Sequence, residues 1–249
     1  MRKFVVAGLA VAAFAIAPVA EAQVTVNGDG AWSSVSSATN DGAPFWDNAS
    51  MDGGSCNIGF ILLGTATGCS NAYGNGSAVL GAGATGLEHW AGAMGSPAPF
   101  TFSSNQTLMV TIHGGWAAGS SAVGTFDAAG FTTLMAGKGD APMVGTISSA
   151  DFLGFFLSNG MLANGCGTNT ACSDASGAAL QQHSLFRVGD TYYIGMEDRN
   201  AGALGDNDYN DVILQVTAVP EPISMALLAT GLAGMGGANA LRRRRNPKS

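Results

Sequence analysis

Two short apolar runs, Thr191-Tyr192-Tyr193-Ile194-Gly195-Met196 and Val212-Ile213-Leu214-Gln215-Val216, bracket a loop rich in Gly, Asn and Asp. Strand-sized runs joined by turn residues read as a β-hairpin. The loop, Glu197 to Asp211, carries five carboxylates, Glu197, Asp198, Asp206, Asp208 and Asp211, against one cation, Arg199. Acids packed this closely repel one another unless water, a cation or backbone donors intervene. Oxygen ligands at alternating positions suit Ca²⁺. Asp206, Asp208 and Asn210 match the first three ligand positions of an EF-hand loop, but the match then ends. Asp211 stands where that loop needs Gly, Thr217 stands where it needs Glu, and no helices flank it. A cation here must therefore draw Glu197 or Asp198 from across the hairpin. The candidate ligands are Glu197, Asp198, Asp206, Asp208, Asn210 and Asp211. The same residues also fit an Asx-rich turn whose side chains bond their own backbone. Both readings stay open at this point.

The rest of residues 23–218 has no strong helical periodicity. Short apolar runs recur between Gly, Ser, Asn and Asp: Phe60 to Leu63, Leu108 to Ile112, Phe131 to Met135 and Phe152 to Leu157. Gln23 to Val26 alternates and reads as a first strand, whereas Asn71 to Gly86 is so rich in Gly, Ala and Ser that it reads as a loop. Strand-sized pieces with turn punctuation predict an all-β fold, a β-sandwich or jelly roll, over residues 23–218.

Both ends of the chain point to a membrane. Arg2 and Lys3, an apolar stretch from Phe4 to Ala17 and the small-residue motif Ala20-Glu21-Ala22 make residues 1–22 a cleaved signal peptide. The apolar stretch is too short for a permanent anchor, and Pro18 interrupts it. Ile223 to Leu241 is an uncharged run of 19 residues, about 28 Å as a helix and close to the hydrocarbon thickness of a bilayer. Arg242, Arg243, Arg244 and Arg245 follow it and place that end in the cytoplasm, so residues 219–249 form a tail with one transmembrane helix. Seven of the ten cations belong to these two ends. Between them, Gln23 to Pro222 holds three cations against sixteen acids, a net charge of −13. That balance argues against nucleic acid as a partner and fits an outer-surface protein or one that gathers divalent cations.

The four cysteines form two close pairs, Cys56 with Cys69 and Cys166 with Cys172. In an exported chain this pattern predicts two local disulfides, rather than a zinc site of Cys166, Cys172 and His183. Enzyme signatures are thin. His113-Gly114-Gly115-Trp116 looks like the oxyanion loop of some esterases, but no G-x-S-x-G elbow accompanies it. His89 and His183 have no obvious nucleophile partner. The four tryptophans, 32, 46, 90 and 116, suit core packing more readily than stacking on sugar rings.

Val219-Pro220-Glu221-Pro222, the apolar span and the arginine run together resemble the PEP-CTERM sorting tail. The resemblance implies a Gram-negative bacterium with export machinery and an exosortase that cuts near Pro220-Glu221-Pro222. It also implies a transient stay in the inner membrane and then release to, or attachment at, the cell surface. Such systems accompany exopolysaccharide and biofilm. Residues 183–216 resemble an uncharacterised β domain found before such tails, in which an aromatic strand leads to Glu-Asp, a turn and D-x-D-Y-N-D. Here these are Tyr192, Tyr193, Glu197, Asp198, Asp206, Asp208, Tyr209, Asn210 and Asp211. The acids of that family look like a calcium site. Three functions are expected in order: a non-enzymatic surface or matrix protein stabilised by calcium, a calcium-dependent lectin-like module for exopolysaccharide, and, last, a secreted hydrolase.

Overall fold

The computed structural model describes residues 24–49, 54–68, 84–104, 107–113, 122–136, 143–147, 154–158, 166–175, 182–198 and 207–219. The expected signal peptide of residues 1–22, Cys69, Arg199, Asp206, most of the 71–86 stretch and the tail from Pro220 onward, including Arg242 to Arg245, lie outside these residues.

The described chain is predominantly β. Its strands are β1 (Val24–Asn27), β2 (Ala31–Ser34), β3 (Leu87–Ala91), β4 (Thr101–Ser104), β5 (Leu108–His113), β6 (Ala122–Asp127) and β7 (Gly130–Ala136). They continue with β8 (Met143–Ile147), β9 (Gly154–Ser158), β10 (Thr170–Cys172), β11 (His183–Val188), β12 (Thr191–Met196) and β13 (Val212–Ala218). They form a seven-stranded sheet in the order β2-β3-β11-β12-β13-β5-β8, a four-stranded sheet β10-β9-β6-β7 and the pair β1-β4. Every pairing is antiparallel. The expected hairpin is present, with Met196 opposite Val212 and Thr191 opposite Thr217.

The large sheet is covered on both faces. On one, Val110, Ile112, Ile194, Leu214 and Val216 share a core with Val123, Phe155 and Leu157 of the four-stranded sheet. Phe102 of β4 joins the layers, its ring 5.6 Å from that of Phe155 and 5.4 Å from that of Tyr192. On the other face, Phe186, Tyr193 and Ile213 pack under a cap made by Trp46, Ile58, Ile61 and Tyr209. Trp46 and Trp90 are therefore core side chains.

One expected strand is a helix. Phe60 to Leu63 belongs to α1 (Ile58–Leu63). Four apolar residues in a row do not distinguish a buried helix from a strand. The flanking caps decide it. The Asn57 side chain accepts a hydrogen bond from the Phe60 N–H at 3.1 Å, and Gly64, at φ 69°, closes the other end by donating to the Ile61 carbonyl.

Gly195 of β12 lies directly under this cap. A Cβ there would collide with Ile58 Cδ1 and with the Tyr209 backbone oxygen. A backbone atom cannot swing aside as a side chain can. Gly195→Ala is therefore expected to lower stability by about 1–3 kcal/mol, the usual range for overpacking. Urea denaturation checks this as a lower midpoint at unchanged slope.

Candidate functional site

The acidic residues gather where β11, β12 and β13 end together. Glu197 follows Met196, and Asp211 precedes its partner Val212, so the two acids are neighbours across the hairpin. One ligand oxygen from each of Glu197, Asp198 and Asp211 lies within 4.8 Å of the other two, and all three residues are buried. The Asp198 N–H donates to Asp211 Oδ2 at 2.7 Å, which locks the two arms together. On the other side of β12, the Glu197 N–H donates to the Gln182 carbonyl at 3.0 Å.

Asp208 and Asn210 do different work. Asp208 Oδ1 accepts from the Asn210 N–H at 3.2 Å, and its Oδ2 accepts from Asn210 Nδ2 at 2.7 Å. Asn210 Nδ2 also donates to the Cys56 carbonyl at 2.7 Å. The Asp208 carbonyl accepts from the Ile58 N–H at 2.8 Å, so the loop is bolted to the start of α1. Between them Tyr209 adopts φ 56°, a left-handed conformation costly for a bulky residue. Its ring lies 5.3 Å from that of Phe45 and is buried. Burial raises the Tyr209 phenol well above its ordinary pKa, and the charges of Glu197 and Asp208 push it further the same way. The six expected ligands thus divide. Glu197, Asp198 and Asp211 converge as a buried carboxylate trio, Asp208 and Asn210 make an Asx turn, and Asp206 lies outside the described residues.

Gln182 is the residue that sequence reading missed. It is fully buried, and neither atom of its side-chain amide has a hydrogen-bond partner among the described residues. A signal for it exists in the chain. Gly189-Asp190 is a two-residue turn between Val188 and Thr191, and that turn fixes the β11–β12 register. Counting back from it sets Gln182 opposite Glu197.

Arg187, the described residues' one arginine or lysine, stands at the opposite end of β11. There it pairs with Glu88 at 2.7 Å and lies 4.2 Å over the Trp32 ring. Cys166 and Cys172 are joined in a disulfide as expected, with Cα atoms 5.8 Å apart. Cys56 is disulfide-bonded, and its expected partner Cys69 lies outside the described residues.

A second polar assembly braces the cap. The buried Asp47 carboxylate accepts from the Thr39 N–H (2.8 Å), the Thr39 hydroxyl (2.9 Å), the Asn40 N–H (3.0 Å) and Asn57 Nδ2 (2.8 Å). Beside it opens a cleft of about 400 Å³ lined by Ser33, Ser36, Ser37, Thr39 and Asp41, with Trp46 and His89 at its wall.

Burial lowers the pKa of all three histidines. His113, the last residue of β5, meets Gln215 Oε1 at 2.9 Å, and burial lowers its pKa against the raising effect of that bond. His183 is buried, and desolvation lowers its pKa to about 3. His89 lies among the rings of Phe45, Trp46 and Phe186, at 5.4, 5.6 and 4.8 Å. Its Nε2 is 3.2 Å from the Ser184 hydroxyl, and burial lowers its pKa to about 3. An unfolded His89 takes a proton near pH 6.5 while the folded one stays neutral. Stability from this group is full above pH 6.5 and is lost as pH falls toward 3. At pH 5 the loss is about 2 kcal/mol relative to pH 7. Urea melts at the two pH values check it, and His89→Gln should show a shallower acid dependence by about that amount.

Two family models match the chain. One is described as a domain of unknown function (DUF4114) and covers residues 144–219. The other, a PEP-CTERM protein-sorting motif, covers residues 218–245 and so takes in Val219 to Pro222 and the arginine run. No curated protein and no solved structure matches the chain. The sorting motif implies export, processing by an exosortase and sorting to the cell surface. Among the described residues no helix is long and apolar enough to cross a membrane.

Proposed function

We propose that this chain is a non-enzymatic surface or matrix protein, released from its sorting tail, whose β-sandwich is stabilised by Ca²⁺ at Glu197, Asp198 and Asp211. The observation that carries the reading is the convergence of three buried carboxylates within 4.8 Å at the end of the central hairpin. Three like charges held that close in a poorly solvated place repel strongly, and a divalent cation turns the repulsion into attraction. Backbone carbonyls and water can bring the shell to the six to eight oxygens Ca²⁺ takes. The ion would clamp β13 against β12. An association with exopolysaccharide and biofilm belongs to the same proposal.

The non-enzymatic reading is in keeping with His89 and His183, which are buried and whose pKa values desolvation lowers to about 3. A second reading, carbohydrate binding, draws support from the hydroxyl-lined cleft beside Asp47. Stacking on Trp46 or Trp90 does not support it, because both rings are spent in the cores. A glycan array separates the two readings.

Thermal melts of residues 23–219 in EGTA and in millimolar Ca²⁺ test the main proposal. Calcium is expected to stabilise by about 2.7 kcal/mol at a hundredfold excess over Kd, and Mg²⁺ less, because it demands a tight octahedron. Asp211→Asn should remove the shift. Asp208→Ala should lower the melting temperature in both buffers, because it removes the carboxylate that orients the Asn210 amide toward the Cys56 carbonyl. Equal melts of the unsubstituted protein in both buffers would leave only the hydrogen-bonded turn. For the tail, mass spectrometry of surface protein should find a C-terminus near Pro220-Glu221-Pro222, and chains ending at Ser249 in that fraction would refute processing.

A further inference from the structure

We infer that Gln182 supplies a neutral oxygen ligand to the cation site, so that the ion is held by a cross-strand row, Gln182, Glu197 and Asp211, with Asp198 beside it. The inference rests on the calcium reading above and adds to it a residue 15 positions upstream of the acidic loop.

The geometry comes from two registers. β11 and β12 pair from Val188↔Thr191 to His183↔Met196. One step further, the Gln182 carbonyl accepts the Glu197 N–H at 3.0 Å, so pairing continues to that position. β12 and β13 pair up to Met196↔Val212, and the next step sets Glu197 beside Asp211. Residues directly opposite on antiparallel strands place their side chains on the same face. The face is the one under the cap. Ser184, two residues after Gln182, reaches His89. Phe186, Tyr193 and Ile213, in step with Gln182, Glu197 and Asp211 respectively, all belong to the cap core.

The second observation is the state of Gln182. It is 0% exposed, and neither Oε1 nor Nε2 has a hydrogen-bond partner among the described residues. Buried amides are ordinarily satisfied, and an exception needs an explanation, of which a bound ion is one. A cation on Oε1 satisfies the oxygen, and Nε2 can donate to a carboxylate of the same row. The chemistry also fits. Three carboxylates already overbalance a divalent ion, so a further acid would add repulsion to the calcium-free protein, although the bound ion would offset it. A carboxamide adds a hard oxygen with no charge, the mixture of carboxylate and carbonyl ligands that Ca²⁺ accepts.

The test uses the full chain in mild detergent with Tb³⁺ as probe. Tb³⁺ takes the same oxygen ligands and emits when excited through a nearby aromatic ring, here the buried Tyr209. Unsubstituted protein should give emission that Ca²⁺ displaces. Gln182→Leu should weaken Tb³⁺ and Ca²⁺ binding about tenfold or more. Its calcium-free melting temperature should hold or rise, since no buried amide is left unpaired. Gln182→Glu, which keeps an oxygen, should bind at least as tightly as the unsubstituted chain. Unchanged Kd in Gln182→Leu would overturn the inference and leave the acidic trio standing. If that variant does not fold, weakened binding in Gln182→Glu overturns it instead. Absence of both emission and a calcium-dependent melt in the unsubstituted protein would overturn the calcium site itself, and this inference with it.

Discussion

The large sheet is held around β13, the last described strand, which enters between β12 and β5 and hydrogen-bonds to both. A strand placed there must be apolar on both sides, and Val212, Ile213, Leu214 and Val216 are buried accordingly. It must also be reached through a loop dense in carboxylates. The structure manages that loop with directed donors. The Asp198 N–H meets Asp211, the Asn210 side chain meets Cys56, and the Ile58 N–H meets the Asp208 carbonyl. Loosening these contacts would free β13 at its entry and weaken the sheet on both sides of it.

The cap therefore has two jobs. It buries the outer face of the sheet, and it carries the backbone groups that hold the acidic loop. Asn57 joins them, since its oxygen caps α1 while its amide nitrogen donates to Asp47, Asn40 and the Asn48 carbonyl. Asp47 in turn is saturated by donors from residues 39, 40 and 57. Residues 39–49 and 54–64 thus form a polar-braced lid whose apolar underside, Trp46, Ile58 and Ile61, rests on β11, β12 and β13.

The segment matched by the DUF4114 family model runs from β8 to β13 and includes every candidate ligand together with Gln182. It is not closed in space. β5, which lies outside it, stands between β13 and β8 in the sheet, and the cap over the acidic loop comes from residues 39–64. The site is built by the matched segment, and its burial is supplied by the rest of the chain.

The sequence by itself determined the β class, the 191–216 hairpin, the Cys166–Cys172 bridge and the acid-rich loop, because each depends on contacts between near neighbours. It also carried the sorting tail, which is a linear signal. It misread Phe60 to Leu63, where the caps at Asn57 and Gly64 outweigh four apolar residues in a row. It missed β2, β3, β4, β6, β8, β10 and β11; in β3 and β11, burial on both faces of the sheet removes the alternation by which strands are recognised. His183-Ser184-Leu185-Phe186 shows no period of two, although all four are buried. Only the tertiary structure decided which acids converge. Asp208 and Asn210 are drawn away by Cys56 and Ile58, more than 145 residues distant in the chain. Gln182, polar and unremarkable in the sequence, is brought to Glu197 by strand register and sealed from water by a lid that folds over from the other half of the molecule.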